Sequence, residues 1–414
     1  MTGYRELLAQ PGVTRLVAAM VAARFGGGMI QLTVVLFVLE HYHSPGLAGL
    51  VGLGAGLSGI ISSPVAGALL DRYGRVRMIQ LDYAVGVATT LLVPGLFWLG
   101  LLPAWLLLVV VTLSGLSLPL SASGARSLLP LLLPRSMWDR GNGLDSASWR
   151  AAAICGPALA GALVAAFGSS PTMVAVAATW VLAGALLIGL REPRTGLEGA
   201  RSLLGDALAG LRYLLGNRVL RRLGVVFPIN TLSPGALSIA LPLLVFTRFH
   251  GNAALVGLLW AAMGAGGLAG NLVTGAFRTE GRESRIMALG FAGTGLGMVV
   301  VLVAPSAAVT MLGMTLAGLS GGPVDVAMFG LRVRSIERAW FGRAIAISMM
   351  LNSLGFPIGA GLGGQLAVRS LLAALVFACL TPLLAAGLSA WLLRPPSQPE
   401  PRAVLTPTGA TSEP

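Results

Sequence analysis

The chain has 414 residues, of which 55% are hydrophobic and only 10% are charged, and its mean hydropathy is +0.83. Soluble globular proteins carry about 25% charged residues, so this composition excludes a soluble fold. Richness in Leu, Val and Ala equally excludes a disordered chain. The formal net charge is +13, but the basic residues are all arginines in alternate loops. They form no patch interleaved with aromatic residues, which argues against a nucleic-acid partner.

Twelve apolar segments are long enough to cross a membrane, which takes about 20 residues. The spans are predicted at 15–39, 46–70, 78–100, 104–125, 148–167, 172–190, 223–247, 254–277, 286–304, 307–331, 343–367 and 371–393. An even number of spans places both termini on one side of the membrane.

The arginines predict the orientation. Of 28 basic residues, only Arg248 and Arg369 fall in the loops opposite the termini, and only Arg24 falls deep within a span, away from its ends. Short arginine-rich loops stay in the cytoplasm, so both termini are predicted to be cytoplasmic. The polar N-terminal segment lacks the apolar core of a cleaved signal peptide. We therefore expect a multi-pass protein of the inner (plasma) membrane of a bacterium.

The two halves of the chain resemble each other at a separation close to half its length. The matching features are GALLDRYGRVRMI at Gly67–Ile79 with GAFRTEGRESRIM at Gly275–Met287, GPALAG at Gly156–Gly161 with FPIGAG at Phe356–Gly361, and Pro119 with Pro323. Two parallel six-helix halves form the major facilitator fold. We therefore predict an all-α membrane protein with two pseudo-symmetric six-helix halves.

Four segments follow from this division. They are an N-terminal half at 1–190, a cytoplasmic linker at 191–222, a C-terminal half at 223–394 and a tail at 395–414. The linker has leucines at 204, 208, 211 and 215, which share one helical face. That pattern fits an interfacial helix on the inner leaflet or an ordinary linker helix. The proline-rich polar tail is predicted to be disordered.

The string GALLDRYGRVR at the end of the second span resembles the cytoplasmic signature of the major facilitator superfamily. The matching residues are Gly67, Leu69, Asp71, Arg72, Gly74 and Arg75, whereas Val76 stands where the family has a further basic residue. Glycine at 67 allows helices to approach closely, and glycine at 74 allows a tight turn. The resemblance implies an inner gate in which Asp71 contacts the eleventh helix when the cytoplasmic side is closed. A merely positively charged turn is the alternative.

GPALAG in the fifth span resembles part of the glycine–proline motif of drug–proton antiporters. Pro157 can kink the helix, and Gly156 and Gly161 permit tight packing. ARSLLP, PRSMWDRGNGLDSAS and RSIERAWFGRAIAI resemble segments of the macrolide-efflux-like branch. The resemblance favours export. However, the fourth span, VVVTLSGLSLPL, lacks the mid-membrane arginine that antiporters often carry, and glycine and proline are also common in ordinary membrane helices.

Charges inside the membrane are functional candidates, because they are costly unless paired or hydrated. Arg24 lies roughly 13 Å deep in the first span, and Asp325 roughly 9 Å deep in the tenth. In this family both spans line the central cavity, so the two residues are candidates for a proton-coupling or cavity pair. Alternatively, Arg24 snorkels to the surface and Asp325 pairs with Arg332. Asp82 and Asp145, near inner helix ends, are expected to be solvated.

Glu40 and Arg248 end the first and seventh spans on the side that carries almost no other charge. They are predicted to form an outer-gate pair when the protein opens inward, with two independent interfacial charges as the alternative. His41 and His43 are a weak metal signal without further ligands, so no metal or cofactor is predicted.

The sequence contains no phosphate loop, zincin helix or nucleophile elbow, so an enzyme is not predicted. The favoured function is secondary active transport, specifically proton-coupled efflux of small hydrophobic or amphiphilic compounds. The alternatives are an importer or facilitator of a small metabolite and, less favoured, a non-transporting membrane receptor. The expected partners are a small-molecule substrate, protons and the lipid bilayer, and the protein is expected to be a monomer.

Overall fold

The computed structural model describes residues 3–192, 203–337 and 340–393, and these residues form helices without strands. The helices are α1 Tyr4–Leu8, α2 Val13–Tyr42, α3 Pro45–Tyr73, α4 Arg75–Trp98, α5 Ala104–Gly115, α6 Leu118–Leu132, α7 Trp138–Phe167, α8 Ser169–Leu186, α9 Leu203–Gly216, α10 Arg218–Arg248, α11 Ala253–Gly275, α12 Glu283–Val303, α13 Ala307–Arg334, α14 Phe341–Ser353, α15 Gly355–Arg369 and α16 Leu371–Leu392. The predicted tail at 395–414 lies outside the described residues.

Twelve segments in this part of the chain are long and apolar enough to cross a membrane. The N-terminal half contributes α2, α3, α4, the pair α5–α6, α7 and α8. The C-terminal half contributes α10, α11, α12, α13, the pair α14–α15 and α16. The prediction of an all-α membrane fold with twelve spans is confirmed.

The two ends of the bundle differ in charge, and side-chain contacts show which helix ends lie together. At one end, Arg15 at the start of α2 donates to the carbonyl oxygen of Leu186 at the end of α8, at 3.0 Å. At the other end, Tyr42 donates to the carbonyl oxygen of Leu102 at 2.6 Å. We call these the arginine-rich end, which includes Arg15, and the arginine-poor end, which includes Tyr42.

The fourth and fifth spans differ from their predicted bounds. The fourth, predicted as one segment at 104–125, is divided into α5 and α6 by a tight turn at Leu116 and Ser117. The fifth, predicted to begin at 148, begins ten residues earlier at Trp138. The additional turns carry charged side chains, among them Asp145, which pairs inside the protein, so hydropathy does not detect them.

The two halves are joined near the arginine-poor end, where α3 packs along α15 and α7 along α11. A Cβ atom added at Gly49 would lie 2.5 Å from the carbonyl oxygen of Ala360, and one at Gly161 would lie 3.0 Å from the Cα of Gly257. A core cluster containing Leu36 of α2 and Leu244 of α10 lies at the same end. The arginine-poor end is therefore closed in this conformation.

Helix α9 is located in the predicted linker, packs against α14 and α10 of the C-terminal half, and also contacts α3 of the N-terminal half. The Tyr213 ring stacks on Trp340 with centroids 5.0 Å apart, and Asn217 donates to the carbonyl oxygen of Ser335 at 2.7 Å. Leu214 is buried in this contact, whereas Leu215 is 52% exposed. Residues 193–202 of the linker lie outside the described residues, and an interfacial position of α9 stays a prediction.

Candidate functional site

Asp325 of α13 is an exposed carboxylate within a membrane-spanning segment of the C-terminal half. The cation that acts electrostatically on this carboxylate is Arg150 of α7, which is also exposed. These two exposed charges of opposite sign are therefore contributed by opposite halves.

The predicted association of Arg24 with Asp325 is wrong in this conformation. Arg24 instead forms an ion pair with Asp145 of α7, donates to the Ser148 hydroxyl, and lies over the Trp149 ring at 5.0 Å. Arg126 of α6 contacts the second oxygen of the same carboxylate at 3.5 Å. Asp145 is therefore the nearer anion, and it holds Arg24 within the N-terminal half.

The alternative partner of Asp325 is also engaged elsewhere. Arg332 lies one residue beyond the predicted tenth span at 307–331. In the structure it is fully buried and donates to Met328 Sδ at 3.1 Å. Helix α14 packs beside the Arg332 side chain, so protein surrounds this guanidinium where the sequence suggested solvent. Asp325 and Arg332 therefore form no ion pair in the described part of the chain.

The expectation that Asp82 and Asp145 are solvated is wrong. Asp82 is 7% exposed and accepts a hydrogen bond from the Ser117 hydroxyl at 2.6 Å. The Asp145 side chain is 11% exposed because the two guanidinium groups of Arg24 and Arg126 cover it. Both carboxylates are thus buried inside the N-terminal half and have partners there.

The predicted inner-gate motif connects α3 to α4. Gly74 adopts φ 90°, a conformation that favours glycine, and so permits the turn. The Arg75 guanidinium donates to Glu192 at 2.8 Å and to Asp71 at 3.3 Å. Glu192 also accepts from the backbone N–H of Arg75 at 2.7 Å, so it caps α4.

The Asp71 side chain is 63% exposed, and its recorded ion pair is with Arg75 on the adjacent helix. The guanidinium of Arg72 lies over the neighbouring Tyr73 ring at 5.4 Å. A Cβ atom added at Gly67 would meet no atom within 4 Å, so the close helix approach expected there is not made in this conformation. Gly67 and Asp71 of the motif therefore face open space at the arginine-rich end, whereas Arg75 is held by Glu192.

The predicted hinge in the fifth span consists of two close contacts beside a proline. A Cβ atom at Gly156 would lie 2.9 Å from the Cα of Gly28 of α2, while Gly161 approaches Gly257 of α11. Pro157 is located within α7, which is continuous from Trp138 to Phe167. Gly156 thus packs inside its own half, and Gly161 packs against the other half.

The predicted outer-gate pair is wrong, although the arginine-poor end is closed. Glu40 accepts from the backbone N–H of Ser169 at 3.3 Å, at the start of α8. Arg248 donates to the carbonyl oxygen of Leu302 at 3.2 Å, at the end of α12. Each charge is attracted to the complementary end of a neighbouring helix in its own half. The closure is made by apolar packing instead.

The family follows from comparison of the whole chain with known proteins. Residues 16–278 and 223–411 match the model of the Major Facilitator Superfamily. The chain belongs to the Major Facilitator Superfamily. It is 35% identical over 386 residues to y4rN, an uncharacterized MFS-type transporter of Sinorhizobium fredii, and this match covers 92% of the chain and 95% of the relative.

Two further likenesses extend along most of the chain. The multidrug efflux pump Tap of Mycobacterium tuberculosis is 28% identical over 398 residues, or 92% of each protein. A bacterial homolog of the human lysosomal transporter Spinster, solved in an inward-facing, unoccupied conformation, superposes with a TM-score of 0.72 at 14% identity, covering 92% of this chain and 98% of that one. The latter likeness concerns the fold alone. These findings support a secondary transporter of the Major Facilitator Superfamily that is embedded in the membrane.

Sequence reasoning did not single out Arg150 or Glu192 in this superfamily member, and it placed Asp82 in solvent. Arg150 lies near the start of the predicted fifth span at 148–167 and Asp82 inside the predicted third span at 78–100, so their positions near or within spans were a signal. Glu192 follows α8 in a polar segment and carries no local signal. Only the fold brings it to Arg75.

Proposed function

We propose that the protein is a proton-coupled exporter of small hydrophobic or amphiphilic compounds in the inner membrane of a bacterium. The observation that carries the proposal is the exposed Asp325 carboxylate within a membrane span, on which Arg150 of the other half acts electrostatically. We place both charges at a central cavity between the halves. A carboxylate in such a place can exchange a proton, and its charge changes when it does so. Similarity to the efflux pump Tap supports export.

The proposed orientation places the arginine-rich end in the cytoplasm, because arginine-rich short loops are retained there. In that orientation the cavity opens inward and the closed arginine-poor end faces outward. Asp325 then meets cytoplasmic water in this conformation. After the halves rock about the cavity, it would meet external water, which is what proton coupling requires.

Replacement of Asp325 tests the proton site. In proteoliposomes with an imposed pH gradient, we expect Asp325→Asn to abolish gradient-driven movement of ethidium, a fluorescent amphiphilic cation. It should preserve exchange of labelled for unlabelled ethidium, because exchange needs no net proton movement. Asp139→Asn, which neutralises an exposed carboxylate at the start of α7, is the matched control and should behave like the unaltered protein.

The same assay separates the alternatives. Equal loss of driven movement and exchange in Asp325→Asn would assign the residue to substrate binding or folding. Exchange without any response to the pH gradient in the unaltered protein would indicate a facilitator. Absence of exchange for a broad panel of labelled compounds would indicate a receptor, while accumulation with the proton gradient would indicate an importer.

Asp71 tests the gate proposal at the arginine-rich end. We expect Asp71→Asn to reduce turnover severely while leaving membrane insertion and thermal stability almost unchanged. The carboxylate is exposed here, and a surface pair with Arg75 contributes only about 0–1 kcal/mol. A large effect on turnover must therefore come from a contact made when this end closes. Normal transport by a well-inserted Asp71→Asn protein would contradict the gate role.

A further inference from the structure

The break in the fourth span lies against the buried carboxylate of Asp82. The tight turn between α5 and α6 has backbone bonds from Leu116 to Leu113 and from Ser117 to Ser114, each three residues back. Asp82 of α4 accepts from the Ser117 hydroxyl at 2.6 Å, and Ser121 of α6 lies next to the same carboxylate. We call Asp82, Ser117 and Ser121 the Asp82 clasp.

A proline alone does not explain this break. Pro119 removes one backbone donor near the start of α6, and Pro323 does the same at the equivalent position in the second half. Yet α13 is continuous from Ala307 to Arg334 through Pro323. The N-terminal half differs in that the buried Asp82 carboxylate lies against the turn and accepts from the Ser117 hydroxyl. A carboxylate at the first turn of a helix is also favoured by the helix dipole.

The comparison of the two halves also relates the Asp82 clasp to Asp325. Ser121 follows Pro119 by two residues, and Asp325 follows Pro323 by two residues. The two halves therefore present an ionisable carboxylate at equivalent levels of the bundle. In the second half it is on the helix itself, and in the first half it is supplied by α4.

We infer that Asp82 is a proton-binding site that controls the break in the fourth span. The charged carboxylate holds the turn between α5 and α6. A proton from water adds to the carboxylate oxygen that accepts from Ser117, and the Ser117 hydroxyl then donates to the carbonyl oxygen of Ser114, 2.9 Å away. The released turn relaxes toward regular α-helix, and loss of the proton to water restores the clasp.

Few other titratable groups bear on this site. Tyr83 is next to Asp82 on α4, and Arg24 of α2 acts on Tyr83 from the other side. Helices α5 and α8, which pack against α4, contain no ionisable residue. The ionisable residues of α3 and α6 are near the arginine-rich end and are Asp71, Arg72, Tyr73 and Arg126. A response of the turn to pH is therefore attributable to Asp82.

The test measures the length of the fourth span without measuring transport. Spin labels are placed on Val109→Cys in α5 and Ala122→Cys in α6, in a protein whose Cys155 and Cys379 are replaced by serine. A helical separation of thirteen residues is about 20 Å. Converting about four residues from 3-10 to α geometry shortens it by roughly 2 Å. We expect the unaltered clasp to show this shortening between about pH 8 and about pH 4.

In Asp82→Asn we expect the short distance at both pH values, because the amide cannot carry the charge. Asp139→Asn should respond like the unaltered protein. If Asp82→Asn does not fold, Ser117→Ala should move the distance toward the acid value at alkaline pH. A pH response that persists in Asp82→Asn, or that is absent with Asp82 in place, overturns the inference.

The role of the Asp82 clasp in transport rests on the proposed function. The spin-label distance across the fourth span is measured without transport, so the test does not depend on that function. Asp325→Asn should keep the pH response of the fourth span while losing gradient-driven transport. Loss of the response in Asp325→Asn would overturn the role of Asp82 and assign the response to the cavity. Failure of transport with an intact response would contradict only the proposed function.

Discussion

Asp145→Asn should lower the thermal unfolding temperature of the purified protein by several degrees. The change removes the carboxylate that pairs with Arg24, whose side chain is only 8% exposed. A guanidinium left buried without its anion costs about 3–5 kcal/mol. The remaining contacts, to the Ser148 hydroxyl and the Asp145 carbonyl oxygen, are neutral acceptors and replace only part of that interaction.

A double variant distinguishes charge from packing. Arg24→Met with Asp145→Leu removes both buried charges and should recover most of the stability, because apolar replacements of a buried pair are often neutral. Arg126, the second partner of Asp145, is 57% exposed and can be solvated in this variant. Asp71→Asn is the control, since it neutralises an exposed carboxylate. An unchanged unfolding temperature in Asp145→Asn would show that Arg24 reaches water.

The interactions of Asp145 and Asp325 differ in the helices that they connect. The pair of Arg24 with Asp145 connects α2 to α7 inside one half, so rocking of the halves leaves it intact. The interaction of Arg150 with Asp325 connects α7 to α13 across the cavity, so rocking must change it. Of these two interactions, we therefore expect the second to depend on the conformational state.

The twelve spans were predictable because about 20 apolar residues have no alternative in a membrane. Their interruptions were less predictable, since they depend on tertiary contacts. Pro119 and Pro323 are equivalent in sequence, but only the span that meets Asp82 is broken. Similarly, the start of α7 at Trp138 depends on where its charged turns find partners.

The identity of charged partners was the least predictable part of the site. Depth in the membrane alone suggested Asp325 as the partner of Arg24. Asp145 pairs with Arg24 instead, because α2 and α7 pack together within one half. Glu40 and Arg248 end adjacent spans, yet each finds a helix terminus in its own half. The sequence indicates how deep a charged residue lies in the membrane. It does not indicate which neighbouring helix that side of its own helix faces.

Alanine at Gly49 and Gly161 together should open the arginine-poor end. A Cβ at Gly49 would approach the Ala360 carbonyl oxygen at 2.5 Å, and one at Gly161 would approach the Gly257 Cα at 3.0 Å. These neighbours are backbone atoms that cannot rotate away, and overpacking costs typically about 1–3 kcal/mol. Because about 1.4 kcal/mol is tenfold in a population, the double variant should shift the equilibrium tenfold or more toward the opposite state.

The measurement is maleimide labelling of Leu39→Cys, a position 8% exposed at the closed end, in detergent-solubilised protein with Cys155 and Cys379 replaced. We expect slow labelling with Gly49 and Gly161 intact and at least tenfold faster labelling in the double variant, with reduced turnover. Alanine is a better helix former than glycine by about 1 kcal/mol, so faster labelling with an unchanged unfolding temperature cannot be ascribed to unwound helices. Gly387→Ala in α16 is the matched control, because its Cβ meets no atom within 4 Å and should leave labelling unchanged. Equal labelling rates in the double variant and the control would show that the halves can close without these glycine contacts.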